Sequence, residues 1–295
     1  EYHYICLEIG WGNSGLNNYI VTDKLPVINQ KASFDISEYL KRKILKQFTF
    51  SYSNIINQTS IASSYVVRAY EVYNNDGNQY NLTDWSETRL ILQGGISQKL
   101  LEQYTRIGTS FWERFVQQNK FLTWQQRNKI TTRSTLERLY YYNIDNTQLK
   151  LEATLYLSDN SETNAIVYTK TTNPDYVYEI DTSFEKLGLI SYETETTKIL
   201  KYVLRLKNQS DEIVSEEFVY LLDEKYYHNK KQFIFRNSLG CYDTFEFKGL
   251  SEQKNDYDFE EIHSIFREKI NVTAEEIFKT NTGHLSNIFP DAKQA

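Results

Sequence analysis

Short runs in which apolar and polar residues alternate dominate this chain, and clusters of polar turn-forming residues separate them. The clearest run is 149–157, which reads Leu-Lys-Leu-Glu-Ala-Thr-Leu-Tyr-Leu. Because successive side chains of a strand point to opposite faces, this run predicts a strand with one face in water. Many short strands separated by turns are typical of a β-sandwich or a β-barrel. Further strands are predicted at 165–169, 176–180, 199–206, 217–222, 232–236 and 244–247.

The first hundred residues show the same pattern with longer turns. Residues 2–9 alternate before a Gly- and Asn-rich cluster at 10–18. Two β-branched and aromatic runs, 65–73 and 84–92, flank a loop rich in Asn, Asp and Gly, which predicts a hairpin with an exposed tip. The pair resembles the last two strands of a fibronectin type III-like sandwich, in which a Tyr-x-Val-Arg-Ala strand precedes a strand with Trp-Ser-Glu, here beginning at Trp85. This resemblance implies a fold and no activity.

One short helix interrupts the strands. Asp35 lies at a capping position and Glu38 follows three residues later, which predicts the start of a capped helix. The basic run 41–46 is interpreted as the solvent face of this helix rather than as a nucleic-acid patch. The apolar positions at helical spacing are Tyr39, Leu40, Ile44 and Phe48.

The chain divides by composition into four parts. A β-sandwich, incomplete at its start, is predicted at 1–97, an aromatic connector at 98–121, and a second β-sandwich at 122–250. An extension, 251–295, follows and is expected to continue into a missing region. Its acidic run, 255–261, is interpreted as a solvated loop, and the residues after it fit either a helix or a strand. The predicted fold is therefore mainly β, with two antiparallel β-sandwich-like domains, the first fibronectin III- or Ig-like, plus a short helix and an aromatic connector.

Composition and charge narrow the function classes. Aromatic residues make up 15% of the 295 residues, and each buried ring removes about 150–250 Å² from water, so the chain can build cores. The net charge of −6 disfavours a nucleic-acid surface, because phosphate binding needs clustered Lys and Arg. No run approaches the roughly 18 apolar residues of a membrane-spanning helix, so no membrane insertion is expected.

Cysteine and methionine usage adds two expectations. Cys6 and Cys241 lie far apart in sequence, and either a bridge between them or two separate buried thiols fits this spacing. The chain has no methionine and begins in a strand-like run, which indicates that residues upstream are missing.

Motifs that carry chemistry are missing from the sequence. The four histidines lack partners at metal-ligand spacing, and there is no nucleophile elbow, phosphate-binding loop or dinucleotide fingerprint. Glu216 and Glu217 are adjacent, so in a strand they point to opposite faces. Asp256, Asp258 and Glu260 alternate but lack the glycine of a calcium loop, which favours a solvated acidic segment. No catalytic residue, cofactor or metal site is therefore predicted.

Aromatic runs are the remaining candidates for ligand contact. They fit either a sugar-stacking platform or, at loop tips, a protein–protein contact. In a strand, alternate rings face the core, so at least half of each run is expected to be structural. The runs are 140–142 and 226–227, and the tryptophans are Trp11, Trp85, Trp112 and Trp124.

Three segments carry a wider resemblance. They are Phe-Leu-Thr-Trp-Gln-Gln-Arg at 121–127, Phe-Arg-Asn-Ser-Leu-Gly-Cys-Tyr-Asp-Thr-Phe-Glu-Phe at 235–247, and Asn-Thr-Gly-His-Leu-Ser at 281–286. In this order and spacing they resemble β-rich structural proteins of tailed phages and prophages of Bacteroidetes, including crAss-like phages. Gln126 departs from that pattern, since many relatives have Pro there. The resemblance implies a virion component and carries over no catalytic residue.

The second segment also has a direct physical interpretation. The sequence 237–240 is turn-forming, and its glycine can adopt a positive φ. Aromatic residues alternate at 233–235 and 245–247, which predicts a hairpin whose buried rings fix the register. The candidate interface or structural-motif residues are Trp85, Trp112, Trp124, Asn237, Gly240 and Tyr242.

The leading hypothesis is a structural component of a phage virion, in the tail or tail fibre, located on the virion or extracellularly. Its expected partners are other virion proteins in a homo- or hetero-oligomer, together with a host-surface glycan or protein. Neither nucleic acid nor a cofactor is expected as a ligand. One alternative is a secreted bacterial glycan-binding module. A further alternative is a polysaccharide-degrading enzyme with a carboxylate pair across a cleft.

Overall fold

The computed structural model describes most of the chain. The described residues are 3–11, 19–22, 24–28, 31–44, 54–58, 61–73, 79–94, 102, 108, 112–228, 230–249, 251–263 and 267–280, the last two ranges by their backbone.

Over these residues the chain is mainly β, as the alternating pattern predicts. The helical elements are α1 (Ser37–Ile44), a π-helical turn (Trp112–Val116) and a 3₁₀ turn (Leu189–Tyr192). In chain order, the described strands are β1 (His3–Trp11), β2 (Tyr19–Val21), β3 (Leu25–Pro26), β4 (Ile55–Asn57), β5 (Ala62–Tyr73), β6 (Gln79–Tyr80), β7 (Arg89–Leu92), β8 (Asn128–Thr131), β9 (Arg138–Asn143), β10 (Gln148–Leu157), β11 (Glu162–Thr171), β12 (Tyr176–Asp181), β13 (Ile199–Lys207), β14 (Phe218–Leu222), β15 (Lys231–Arg236), β16 (Tyr242–Phe247), β17 (Ser251–His263) and β18 (Arg267–Thr280).

Six strands of the N-terminal part, β1, β2, β3, β5, β6 and β7, form one sheet. Its order is β2-β1-β5-β6, with β3 paired to β1 and β7 paired to β5. The predicted hairpin is confirmed, since Tyr65 lies opposite Arg89 in an antiparallel ladder. Its second strand is shorter than predicted, because 84–88 bonds to β5 only at separate points, such as Ser86 N donating to Val67 O at 2.7 Å. The described strands here form one sheet, so the fibronectin type III-like sandwich stays a prediction.

Helix α1 forms where the sequence predicts it. The Asp35 carboxylate accepts a hydrogen bond from Ser37 N at 2.9 Å at its start. Leu40 and Ile44 are buried, whereas Lys41 and Arg42 are exposed. Lys41 and Arg42 of the basic run therefore lie on the solvent face of an amphipathic helix, as expected, whereas the side chain of Lys43 and residues 45–46 lie outside the described part of the chain.

Two sheets of the second half face each other across the main core. One has the order β11-β10-β13-β14-β8 and the other has the order β4-β12-β9. Large buried side chains from both sheets fill the space between them and define the first core: Leu139, Tyr141, Leu151, Leu155, Tyr178, Ile180, Tyr202, Leu204, Phe218 and Tyr220. All described pairings are antiparallel except that of β8 with β14, which is parallel.

The three-stranded sheet is buried on both faces. Its second face, with Tyr140, Tyr142 and Val177, packs on a second core that includes Phe115, Leu122, Leu239 and Cys241. The whole of β9 is therefore buried, and all three tyrosines of 140–142 are at most 4% exposed. The sugar-stacking interpretation of this run is wrong, because the sheet is the middle layer of three.

Strand β4 joins this middle sheet from the N-terminal half of the chain. Ile55 lies opposite Ile180 and is 4% exposed in the first core. Ile61 and Ala62, which follow shortly afterwards, lie in the second core. The predicted boundaries at residues 97 and 122 stay predictions, but these contacts connect residues on either side of them.

The hairpin β15–β16 is confirmed, but its rings are not buried as predicted. Phe233 lies opposite Phe245 in the ladder. Phe233 is 42% exposed and Phe235 is 47% exposed, while Phe245 and Phe247 are half-buried. Because Thr244 on the opposite face of β16 is 2% exposed, the alternating rings mark the outward face of the hairpin.

The extension differs from the sequence prediction. The acidic run 255–261, interpreted as a loop, lies within β17, and the helix considered after it is wrong. Strand β18 pairs with β17 along its length, so that Tyr257 lies opposite Ala274 and Phe259 opposite Val272. The strand alternative for this segment is the correct one.

Candidate functional site

Two of the three segments that carry the phage resemblance meet in space. We call this site the motif junction and define it by residues 93–94, 121–125 and 237–244. The segment 121–125 runs past the turn between β15 and β16, and residues 93–94 at the end of β7 approach the same turn. The third segment, 281–286, lies outside the described residues.

Asn237 organises the turn at the centre of the motif junction. Its side-chain oxygen accepts hydrogen bonds from Leu239 N at 2.9 Å and Cys241 N at 3.1 Å. Its amide nitrogen donates to Leu122 O at 3.1 Å. Asn237 is only 7% exposed, so one side chain satisfies three buried backbone groups that water does not reach. It thereby joins the turn to the segment 121–125.

Gly240 is required at this turn for two separate reasons. Its φ is +82°, in the left-handed region that side chains with a Cβ disfavour. A Cβ atom at this position would lie 1.1 Å from Gln93 O, which no rearrangement of a side chain relieves. Gly94 meets the turn from the other side, and a Cβ there would lie 2.4 Å from Ser238 O. The two backbones therefore pack directly against each other.

Trp124, in the segment 121–125, binds the same turn. Its Nε1 donates to Ser238 Oγ at 2.6 Å, and its ring packs edge-on against Phe115 at a centroid distance of 5.0 Å. One end of the side chain thus bonds to the turn while the ring extends the second core.

Strand β16 is tied to the same segment just beyond the turn. Thr123 Oγ1 donates to the Asp243 carboxylate at 2.7 Å, and Gln125 Nε2 donates to Thr244 O at 2.8 Å. Burial raises the pKa of Asp243, and the hydrogen bond from Thr123 opposes that rise. The motif junction therefore contains a buried carboxyl group that is hydrogen-bonded to another side chain of the junction.

The two cysteines are separate buried thiols, which decides between the two alternatives left by the sequence. Cys241 lies in the second core, and its Sγ donates weakly to Leu239 O at 3.9 Å. Burial, followed by the nearby charges of Asp243 and Glu179, raises the pKa of the Cys241 thiol well above its ordinary value. A thiol held in its protonated form is a poor nucleophile.

Tyr242 packs against the second core from β16. Its hydroxyl accepts a hydrogen bond from Arg236 Nη2 at 2.8 Å, and the Arg236 guanidinium lies 5.4 Å from the ring centroid. Four of the six candidate residues, Trp124, Asn237, Gly240 and Tyr242, thus lie in or beside the motif junction.

The other two candidates do not join them. Trp85 stacks under the Arg68 guanidinium at 4.3 Å and meets the ring of Tyr19 at 6.4 Å. Arg68 in turn forms an ion pair with the buried Glu8 at 2.5 Å, so Trp85 covers a charge pair of the N-terminal sheet. Trp112 belongs to the π-helical turn, and its side chain lies outside the described residues.

The adjacent carboxylates Glu216 and Glu217 pair with two different cations. Glu216 pairs with Arg127 at 2.8 Å, whereas Glu217 pairs with Arg205 at 3.3 Å, as the opposite faces of adjacent residues predict. Within the described ranges, no group of three or more His, Cys, Asp or Glu side chains is arranged to hold a metal ion. In the same ranges, no helix has the length and apolar character needed to cross a membrane.

Comparisons of the chain with protein-family models, with curated proteins and with solved structures gave no match.

The sequence predicts the turn at 237–240 but not the part played by Gln93 and Gly94, which contact the turn through their backbone atoms. A glycine close to the end of a predicted strand is the sequence signal for that contact. Gly94 has no positive φ, so close approach is what excludes a side chain there.

Proposed function

We propose that this chain is a structural component of a phage virion, in the tail or its fibres, that acts by packing against neighbouring subunits. The proposal rests on what the residues that carry the phage resemblance do in the structure. Asn237, Gly240 and Trp124 make hydrogen bonds and packing contacts inside the molecule. Residues that stabilise the fold fit a scaffold protein, which acts through the shape of its folded chain.

The surface that best fits subunit packing is the outward face of the hairpin β15–β16. Phe233 and Phe235 project from it at 42% and 47% exposure. The ring of Phe233 lies 4.8 Å from that of Phe247, which in turn lies 5.0 Å from Phe245. Clustered, partly exposed aromatic rings are enriched at protein–protein contacts because each buries a large area at little entropic cost.

The proposal is tested on particles produced by the source of the chain. Quantitative mass spectrometry of gradient-purified particles is expected to detect the chain at a fixed ratio to the major capsid protein. A chain that remains with the soluble fraction and is missing from purified particles overturns the proposal.

A second experiment separates subunit packing from glycan binding. The double variant Phe233→Ser/Phe235→Ser is expected to fold and to enter particles poorly. Ile190→Ser, which changes an apolar side chain that is 65% exposed on the 3₁₀ turn, is the matched control and is expected to assemble normally. A strong signal for the wild-type chain on a glycan array, with normal assembly of the double variant, favours the glycan-binding alternative.

A further inference from the structure

A buried ion pair connects the two sheets of the sandwich. Lys129 lies on β8, in the five-stranded sheet, and Glu137 immediately precedes β9, in the three-stranded sheet. Lys129 Nζ lies 2.5 Å from Glu137 Oε2, and the two residues are 5% and 1% exposed. An amine and a carboxyl group are thus held in contact where water does not compete for either.

Two threonine hydroxyls complete the site. Thr244 Oγ1 lies 2.7 Å from Lys129 Nζ and donates to Glu137 Oε2 at 2.8 Å. Thr131 Oγ1 donates to the other carboxyl oxygen, Oε1, at 3.0 Å. One hydroxyl therefore bridges the amine and one carboxyl oxygen, while the second hydroxyl polarises the remaining oxygen.

Burial favours the neutral form of the Glu137 carboxyl. Desolvation raises the pKa of the Glu137 carboxyl, although Lys129 and the threonine hydrogen bonds oppose the rise. Transfer of one proton from the ammonium to the carboxylate across their contact removes both charges from the interior. The products of that transfer, a free amine and a carboxylic acid, are the reactants of amide formation.

We propose that Lys129 and Glu137 condense into an intramolecular amide that covalently links the two sheets. The Nζ lone pair forms a bond to Cδ of Glu137, and the electron pair of the Cδ–Oε1 double bond moves onto Oε1, where Thr131 donates its hydrogen bond. A proton of the amine passes to Thr244 Oγ1 while the Thr244 hydroxyl proton passes to Oε2. The Cδ–Oε2 bond then breaks and one water molecule leaves, so that nothing is oxidised or reduced.

Proximity and burial both favour the condensation. Reactants held in productive geometry reach effective molarities of about 10⁵–10⁸ M. The amide product is neutral, and the released water leaves an interior that excludes it. The inference does not depend on the proposed function, but such a link would hold the sheets together under mechanical load.

The test is the intact mass of the full-length wild-type protein, measured after denaturation. It is expected to be one water lighter than the sequence requires, and fragmentation is expected to yield a branched peptide joining Lys129 to Glu137. Lys129→Arg keeps the positive charge but cannot form the same amide, so it is expected to show the full mass. Lys198→Arg is the matched control, since Lys198 is a surface residue 3.7 Å from Glu193, and it is expected to remain one water lighter.

Two results overturn the inference. One is a folded wild-type protein with its full mass. The other is a water loss that persists in Lys129→Arg, because the dehydration then lies elsewhere in the chain. If the Lys129→Arg variant does not fold, the branched peptide of the wild type still decides the question.

Discussion

The backbone of Gly240 lies against the carbonyl of Gln93 so closely that a Cβ atom at residue 240 would be 1.1 Å from that oxygen. Gln93 follows β7 of the N-terminal sheet, and its own N–H donates to Ile61 O at 2.6 Å. The contact therefore joins the end of the N-terminal sheet to the turn between β15 and β16. Because the two backbones are in direct contact, no side chain can be accommodated at residue 240.

Gly240→Ala is expected to destabilise the protein by more than about 4 kcal/mol, because steric overlap adds to backbone strain. Gly188→Ala is the matched control. Gly188 also has a positive φ, +66°, but a Cβ there meets no atom within 4 Å, so only the left-handed strain of about 1–2 kcal/mol applies. Urea unfolding of both variants measures the difference. Equal losses would mean that the approach of Gln93 contributes nothing.

Asn237→Ala is expected to lower the free energy of unfolding by about 2–4 kcal/mol, because it leaves buried backbone groups without partners. The affected groups are Leu239 N, Cys241 N and Leu122 O. Asn164→Ala on the exposed strand β11 also removes one side-chain hydrogen bond, to Thr154 at 2.6 Å, and is expected to cost less than about 1 kcal/mol. Thermal unfolding followed by circular dichroism compares the two, and a loss at 237 no larger than at 164 contradicts the role given to Asn237.

Ile55→Ala tests whether β4 belongs to the core of the second half. A buried isoleucine cut back to alanine is expected to cost about 2–5 kcal/mol through lost burial and the cavity left behind. Ile190→Ala changes the same residue type at 65% exposure and is expected to stay within about 0.5 kcal/mol. Denaturant unfolding that shows little effect at residue 55 would place β4 outside that core.

Glu152→Gln tests the ion pairs that Glu152 on β10 forms with Arg205 and Lys207 on β13. Burial raises the pKa of Glu152, but hydrogen bonds from Lys207, at 2.6 Å, and from Arg205 outweigh it, so the pKa lies below its ordinary 4.5. A lowered folded-state pKa gives stability that is complete above pH 4.5 and is lost as the pH falls through the folded-state value.

The stability difference between wild type and Glu152→Gln is therefore expected to be largest at neutral pH and to shrink below pH 4.5. A group with a pKa shift of the opposite sign, such as Glu179, is present in both proteins and cancels in the comparison. Glu162→Gln, an exposed carboxylate on β11, controls for loss of surface charge. A difference that grows on acidification contradicts the assignment.

Alternation was sufficient to predict most strands of the second half. Strand β10 differs from its predicted range by one residue, and its apolar residues face the first core. Its other face was predicted to lie in water, but Glu152 and Thr154 on that face are only 6% and 7% exposed. Alternation shows which residues share a face, but not whether that face is covered. This is why Phe233 and Phe235 were predicted as buried rings although their face of the hairpin points outward.

The middle layer could not be predicted from local pattern. Strand β9 was missed as an element because a strand buried on both faces does not alternate, and its tyrosines were considered for a ligand platform instead. Its burial depends on residues far away in sequence, such as Ile61 and Leu239 in the second core. The parallel pairing of β8 with β14 is likewise long-range, and the four residues of β8 carry little pattern of their own.

The motif junction was predictable in part. The residue types of Asn237 and Gly240 predict a turn, and both residues lie in the turn between β15 and β16. The partners of the turn are set by tertiary contacts, so neither Trp124 Nε1 bonding to Ser238 nor the approach of Gln93 could be inferred from the sequence.

The central claim, that the chain is a building block of a virion, is tested most directly by electron cryo-microscopy of particles from its source. Density that fits the layers on either side of β9 is expected in the tail or its fibres, repeated at symmetry-related positions, with the Phe233 face against a neighbouring subunit. Particles whose tail and fibre density is fully accounted for by other proteins would contradict it.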